Sequence, residues 1–174
     1  MVKATIDTLR KLEALLVITN LIGWVITLFY YYDVYTLGRN PLLCKANLGV
    51  IVINCAKVAQ SPYARVALIG GVKVPIALIA VAWFTTKALL SIYYILGMRR
   101  VLDIIIALSA LGTPLIPYLI YIELFKVHAI CTYCTFLQAF IIITLIVAIE
   151  LKLVEKKLAQ MSVSVTSLKV PKQP

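Results

Sequence analysis

Four apolar segments dominate the chain and constrain its fold more than any other feature. They run from about 14 to 32, 74 to 96, 101 to 121 and 129 to 151. Each is close to or longer than the roughly 20 residues that a helix needs to cross about 30 Å of hydrocarbon. With 63% hydrophobic and 14% charged residues, the chain is more apolar than a soluble domain. The sequence therefore predicts an all-α integral membrane protein, a four-transmembrane-helix bundle forming one domain over residues 1–151.

Basic residues are distributed unevenly between the two ends of the predicted bundle. An even number of spans puts both termini and the turn between the second and third spans on one face. Ten of the 17 Lys and Arg residues lie there, against six on the opposite face. The positive-inside rule predicts a multi-pass cell-membrane protein with cytoplasmic termini, a basic cytoplasmic tail at 152–174 and an outer loop at 33–73. The net charge of +10 then reflects topology and contact with anionic lipid. Nucleic-acid binding is not expected, because no soluble domain is predicted that could provide it.

Four cysteines form two pairs at the predicted outer edge. Cys44 and Cys55 lie in the outer loop, and Cys131 and Cys134 form a Cys-Thr-Tyr-Cys motif where the fourth span begins. A C-x-x-C motif is redox-active more often than structural, because one of its thiols is easily made acidic. All four thiols would face the compartment in which disulfides persist. Of the three possible pairings, geometry favours 44–55 and 131–134 at rest, with Cys55–Cys131 or Cys44–Cys131 as exchange states.

Charged neighbours of the cysteines fit thiol chemistry. Lys45 follows Cys44, and Lys57 lies two residues after Cys55. A nearby cation stabilises a thiolate, although a solvated lysine is the simpler interpretation for at least one of them. The C-x-x-C motif is expected at a helix N-terminus, whose dipole also favours a thiolate. His128 is the only histidine, and an interfacial anchor is a more common role for such a residue than proton donation.

The outer loop is expected to contain a short helix between the first and second spans. Ser61 followed by Pro62 is a typical helix start, with serine as the N-cap and proline at the first helical position. Pro41 and Gly49 punctuate the segment that carries Cys44. Gly70-Gly71 is expected to form the turn into the second span.

Polar residues and prolines also occur within the spans. Lys87 lies well inside the second span and is expected to extend towards the cytoplasmic side. Pro114 and Pro117 are expected to kink the third span and free backbone carbonyls. Glu123, in the outer turn, is expected to pair with Lys126.

Five short segments around the cysteines match a known pattern. They are Cys44, Cys55-Ala-Lys-Val-Ala-Gln-Ser61-Pro-Tyr-Ala, Gly70-Gly71-Val-Lys-Val-Pro75, Ile122-Glu123-Leu and Ile130-Cys131-Thr-Tyr-Cys134. Over roughly residues 12–151 the chain resembles the vitamin K epoxide reductase family, in its prokaryotic quinone-reducing branch without a fused thioredoxin-like domain. The other four-span type of thiol oxidase has its C-x-x-C in the first outer loop, so the order of the pairs argues against it.

The resemblance implies a membrane thiol:quinone oxidoreductase that drives disulfide bond formation. Electrons would pass from a thioredoxin-fold partner protein, acting in trans, to Cys44 and Cys55. They would continue to Cys131 and Cys134 and reach a membrane quinone of the menaquinone or ubiquinone type. In the family pattern Cys134 meets the quinone, Cys131 resolves the resulting state, and Ser61 donates a hydrogen bond to a quinone oxygen.

Departures from the vertebrate branch and two rival classes complete the interpretation. Gln138 stands where that branch has a tyrosine, and Lys73-Val74-Pro75 where it has an asparagine, which argues against epoxide reduction. One rival is a structural membrane protein with two stable disulfides. The other is a four-cysteine zinc site, against which the oxidising side and the spacings argue, so no metal is expected. No internal repeat or paired intramembrane charge supports a transporter.

Overall fold

The computed structural model describes residues 2–47, 52–67 and 73–169 and consists mainly of helices. The helices are α1 (Val2–Phe29), α2 (Cys55–Gln60), α3 (Ile76–Ile95), α4 (Val101–Gly112), α5 (Leu115–Tyr121) and α6 (Thr132–Lys169), with π-helical turns at Tyr30–Thr36 and Ile122–Val127. Short strands are β1 (Ala46–Asn47), β2 (Val52–Ile53), β3 (Arg65–Ala67), β4 (Lys73–Pro75) and β5 (Ala129–Ile130), and 3-10 turns occupy Leu42–Cys44 and Pro62–Ala64. The turns expected at Gly49 and Gly70-Gly71 lie outside the described residues.

Four helical segments are long and apolar enough to span a membrane, which confirms the predicted four-helix membrane bundle. They are Thr5–Thr36, Ile76–Ile95, Val101–Val127 and Thr132–Met161. The fourth helix starts three residues later than expected, because Ala129–Ile130 forms a strand. It continues to Lys169, where a tail was expected at 152–174, since the lysines, leucines and glutamate that follow residue 151 are good helix formers.

The helices pack around α1 and α6, whose inner faces hold the bundle together. α1 packs against α3 and α6, and α4 packs against the same two helices. Lipid offers no hydrophobic driving force between helices, so polar contacts inside the bundle matter. The side-chain amide of Asn20 donates a hydrogen bond of 2.9 Å to the Ser91 hydroxyl. The Thr144 hydroxyl donates to the side-chain oxygen of Asn20 at 3.4 Å. These bonds join α1, α3 and α6 at mid-depth.

An ionic cluster closes the end of the bundle opposite the cysteines. Arg99, in the turn between α3 and α4, bonds to Glu13 at 2.7 Å and to Glu155 at 2.9 Å. The same guanidinium nitrogen donates to the Tyr94 hydroxyl at 2.8 Å. Because these partners belong to α1, α6 and α3, the Arg99 cluster connects three helices through one side chain.

The third span is interrupted at Thr113-Pro114, between α4 and α5, where Pro114 has no backbone N–H to donate; the expected kink stays a prediction. Pro117 lies in the first turn of α5, where its missing N–H removes no helical hydrogen bond. Gly112 lies at the interruption, and a Cβ there would meet Ile141 at 3.3 Å and Trp83 at 3.4 Å. Its lack of a side chain thus allows α4 to approach α3 and α6.

The expected orientation of Lys87 is wrong. Its side chain is fully buried, and Nζ lies 5.4 Å from the centre of the Phe84 ring, one turn nearer the start of α3. Helical side chains lean towards the helix N-terminus, which here is the cysteine end of the bundle. The amine has no hydrogen-bond partner among the described residues.

The predicted loop helix exists, but it precedes Ser61 rather than starting there. α2 begins at Cys55 because Asn54 is its N-cap and accepts a hydrogen bond of 2.9 Å from the Lys57 N–H. Ser61 ends this helix, and Pro62 begins a single 3-10 turn instead. Strand β3 follows and pairs with β4 in antiparallel register, Val66 opposite Val74.

Candidate active site at the cysteine end of the bundle

A small sheet joins the two halves of the chain that carry the cysteines. Its order is β1-β2-β5, with β1 antiparallel and β5 parallel to β2. Ile53 pairs with Ile130, and the Asn54 N–H donates a hydrogen bond of 3.1 Å to the Ile130 carbonyl. Cys55 and Cys131 follow these residues directly. The sheet therefore brings the two cysteine pairs to the same end of the bundle, as predicted.

Cys44 and Cys55, the loop pair, form a disulfide with a Cα–Cα distance of 5.5 Å, as the sequence predicted. The pair is not on the water side of the loop: Cys44 is 1% exposed and Cys55 is 0% exposed. A side chain anchors the start of α2 beside Cys55: the Asn40 side-chain oxygen accepts a hydrogen bond of 2.9 Å from the Ala56 N–H. Lys45 and Lys57, in contrast, are exposed to solvent.

Cys131 and Cys134, the C-x-x-C pair, are free thiols, so the predicted 131–134 disulfide is absent in this state. Cys131 lies immediately before α6, which confirms its expected position at a helix N-terminus. Its sulfur accepts a hydrogen bond of 3.3 Å from the Cys134 N–H, and its carbonyl accepts one of 3.0 Å from the Thr135 N–H. The described residues contain one disulfide, whereas the alternative of a structural membrane protein requires two.

Glu123 is a functional candidate to which the sequence assigned a different partner. Its side chain is 6% exposed, and its carboxylate accepts a hydrogen bond of 3.3 Å from the Cys131 N–H. Lys126, the expected partner, is exposed and pairs with no carboxylate in the described part of the chain. Glu123 and the Tyr30 hydroxyl both lie within interaction range of the Cys134 thiol. His128 is exposed, with a left-handed φ of 52°.

An apolar cavity of about 170 Å³ adjoins the Cys134 thiol between the spans. Its walls come from α3, α4, α5, α6 and the π-helical turn that follows α1, and include Tyr30, Trp83, Phe84, Gly112, Cys134 and Gln138. The Trp83 indole nitrogen and the Gln138 amide nitrogen are buried donors without a partner among the described residues. The sequence assigned no ligand-binding role to Trp83 or Gln138. A tryptophan in an apolar helix, such as Trp83, is usually a packing residue.

A second cavity, of about 60 Å³, lies on the loop side of Cys134. Its walls include Tyr30, Ser61, Glu123 and Cys134, and the Ser61 hydroxyl is buried without a hydrogen-bond partner in the described part of the chain. Ser61 and Cys134, predicted from sequence to share a ligand, therefore line the same space. Apolar walls with a few unpaired donors suit a flat ring that carries carbonyl acceptors, and a quinone head group has this chemistry.

A structural zinc site needs four ligands close together. Two of the four thiols are joined in the loop disulfide. Within residues 2–47, 52–67 and 73–169, no three His, Cys, Asp or Glu side chains lie close enough together to hold a metal ion.

Comparison with known proteins identifies a family for this chain. The profile of the Vitamin K epoxide reductase family matches residues 14–149, which include all four cysteines and all or most of each of the four spans. None of the curated proteins matches the chain with significance. Members of the matched family are oxidoreductases with a helical membrane bundle. The chain therefore belongs to the vitamin K epoxide reductase family.

Proposed function

We propose that the protein is a membrane thiol:quinone oxidoreductase that makes disulfides in a thioredoxin-fold partner protein. The observation that carries this proposal is the position of the Cys134 thiol in the wall of the apolar 170 Å³ cavity. That cavity opens between helices, where a lipid-soluble ligand has access. The buried loop disulfide packs in the same cluster as Cys131, and the partner protein reaches it once the loop opens.

The redox state of the four cysteines supports a relay between the pairs. In the proposed cycle, the partner's dithiol reduces the loop disulfide, and the partner leaves as a disulfide. Cys55 then attacks an oxidised C-x-x-C pair at Cys131, and Cys44 closes the loop disulfide again. The products are a loop disulfide and an inner dithiol, which is the combination present here. An attack by Cys44 on Cys131 is the alternative route.

The bound quinone supplies the final acceptor, because it takes two electrons and two protons from the inner dithiol. Two protein residues are assigned to hold it. Cys134 faces the ring as the electron-donating sulfur, and Ser61 donates a hydrogen bond to a carbonyl oxygen. The unpaired hydroxyl of Ser61 supports this role, since leaving a buried donor unsatisfied costs roughly 1–3 kcal/mol.

The proposed topology has both termini in the cytoplasm and the cysteines outside. Ten basic residues at the Arg99 end, against six at the cysteine end, support it. An alkaline phosphatase fused after Pro174, which is active only outside the cytoplasm, should be inactive. A fully active fusion would show that the C-terminus lies outside the cytoplasm and would contradict the proposed topology.

The reaction can be tested anaerobically with the full-length chain in lipid nanodiscs. A reduced thioredoxin-fold protein and a menaquinone or ubiquinone analogue are added, and quinol absorbance and partner disulfide are followed together. We expect equal amounts of the two products. Quinol formation by the Cys134→Ser variant would contradict the role assigned to Cys134. If the wild-type protein formed no quinol with any quinone, the reaction class would be excluded.

A matched pair of serine variants tests the quinone-binding role of Ser61. Ser61→Ala should raise the KM for quinone about fivefold, as expected for one hydrogen bond of about 1 kcal/mol. Ser109→Ala is the control, because Ser109 is also a buried, unpaired hydroxyl but lies outside both cavities. An equal effect of the two substitutions would show that Ser61 acts only through packing.

A further inference from the structure

Among the described residues, Glu123 is the one carboxyl group that contacts the C-x-x-C pair, and the proposed relay gives it no task. It lies in the π-helical turn Ile122–Val127, an element that often occurs at functional sites. Its carboxylate accepts the Cys131 N–H, and it faces the Cys134 thiol. The same carboxyl forms part of the wall of the 60 Å³ cavity. It therefore reaches both reactive residues from one position.

No cation compensates this buried carboxyl among the described residues. The salt bridges in that part of the chain use other acids. Lys57, on the neighbouring α2, and Lys126, on the same π-helical turn as Glu123, are exposed. An uncompensated buried charge is expensive, and ionisable groups inside membrane bundles are usually retained for function. The titratable groups that do face Glu123 are Tyr30, Tyr63, Cys131 and Cys134. Two of these four must lose protons whenever the inner dithiol is oxidised.

We propose that Glu123 carries the protons of the C-x-x-C dithiol, an inference that rests on the function proposed above. Oxidation of this dithiol breaks two S–H bonds, forms one S–S bond and sends two electrons and two protons to the quinone, which becomes quinol. The Glu123 carboxylate takes the proton of the Cys134 thiol, so the thiolate forms without a change in the net charge of the buried cluster. Glu123 passes this proton on towards the cavity and handles the Cys131 proton in the same way.

The first test needs no quinone. The inner thiols of the reduced full-length protein are alkylated with a small neutral maleimide at several pH values, and modified Cys131 and Cys134 are counted by mass spectrometry. Glu123→Gln keeps an oxygen that accepts the Cys131 N–H but cannot take a proton. We expect alkylation at pH 7 to be about 100-fold slower in this variant, the lower range for loss of a general base. Glu123→Asp should restore part of the rate.

The second test follows quinol formation in a single turnover. Glu123→Gln should lower this rate about 100-fold and change its pH dependence. Glu150→Gln is the control, because Glu150 is an exposed carboxyl on α6. If wild-type protein makes no quinol, the proposed function fails, and the alkylation test still reports on Glu123. Faster or unchanged alkylation in Glu123→Gln would overturn the proton-carrying role, because the carboxylate would then act only by charge repulsion or packing.

Discussion

The Thr132 hydroxyl donates a hydrogen bond of 2.8 Å to the carbonyl of Leu43. Thr132 lies inside the C-x-x-C motif, and Leu43 precedes Cys44. This bond therefore joins the two cysteine pairs, as the Asn54–Ile130 backbone bond also does. Together the two contacts keep the loop disulfide buried against the inner thiols.

Removing the Thr132 hydroxyl should loosen this closure. Thr132→Val keeps the side-chain shape and removes one hydrogen bond, worth about 1 kcal/mol, so the opened loop becomes about fivefold more populated. Reduction of the loop disulfide by dithiothreitol should accelerate by the same factor. Thr86→Val is the control, because the exposed Thr86 hydroxyl bonds within its own helix, to Ala82. An unchanged reduction rate in Thr132→Val would mean that loop opening does not depend on this contact.

The unpaired indole N–H of Trp83 is expected to bind a carbonyl acceptor in the larger cavity. Trp83→Phe should raise the KM for quinone about fivefold with little change in thiol exchange, because a single hydrogen bond is lost. Trp24→Phe is a matched control: the Trp24 indole donates to Thr85 at 2.9 Å and forms no part of the cavity wall. A rise in KM for Trp24→Phe alone would contradict the assignment.

Gly23 lies against Phe84, whose ring lines the same cavity. A Cβ at Gly23 would lie 2.5 Å from the Phe84 ring, so Gly23→Ala must push that ring towards the cavity. We expect a higher KM for quinone and a loss of about 1–3 kcal/mol in stability, as for other overpacked cores. Gly112→Ala should have a milder effect, because the nearest contact there is 3.3 Å. Titration with quinone, together with thermal unfolding in detergent, measures both effects.

Lys87 should destabilise the bundle. Its amine is fully buried without a hydrogen-bond partner in the described residues, and a lysine at the centre of a membrane helix costs roughly 2.5–3.5 kcal/mol. Lys87→Met should therefore raise the free energy of unfolding by about 2 kcal/mol, measured by denaturation in mixed micelles. Lys156→Met is the control, since Lys156 is exposed on α6. A lower stability of Lys87→Met would show that the native state uses the amine.

Features with a long sequence signal were predictable. Four apolar runs gave the spans, and cysteine spacing gave the loop disulfide, because both depend on local composition. Strands β2 and β5 were missed, since two residues carry no periodic pattern. The start of α2 was also missed, because Ser61-Pro62 looked like a helix start while Asn54 supplies the cap upstream.

Side-chain direction inside the bundle was harder to predict than the bundle itself. Glu123 was expected to meet Lys126 three residues later, as it would on a regular helix surface. The π-helical turn changes which residues share a face, so the carboxyl points at the C-x-x-C pair instead. Lys87 was expected to reach water, but its helix directs it towards Phe84.

The Arg99 cluster has a mechanical consequence for ligand exchange. One guanidinium group holds α1, α3 and α6 at a fixed spacing at its end of the bundle. Helices that are held together at one end of a bundle separate more easily at the other end. Any widening that admits a lipid-soluble ring is therefore concentrated at the cysteine end of the bundle, beside Cys134.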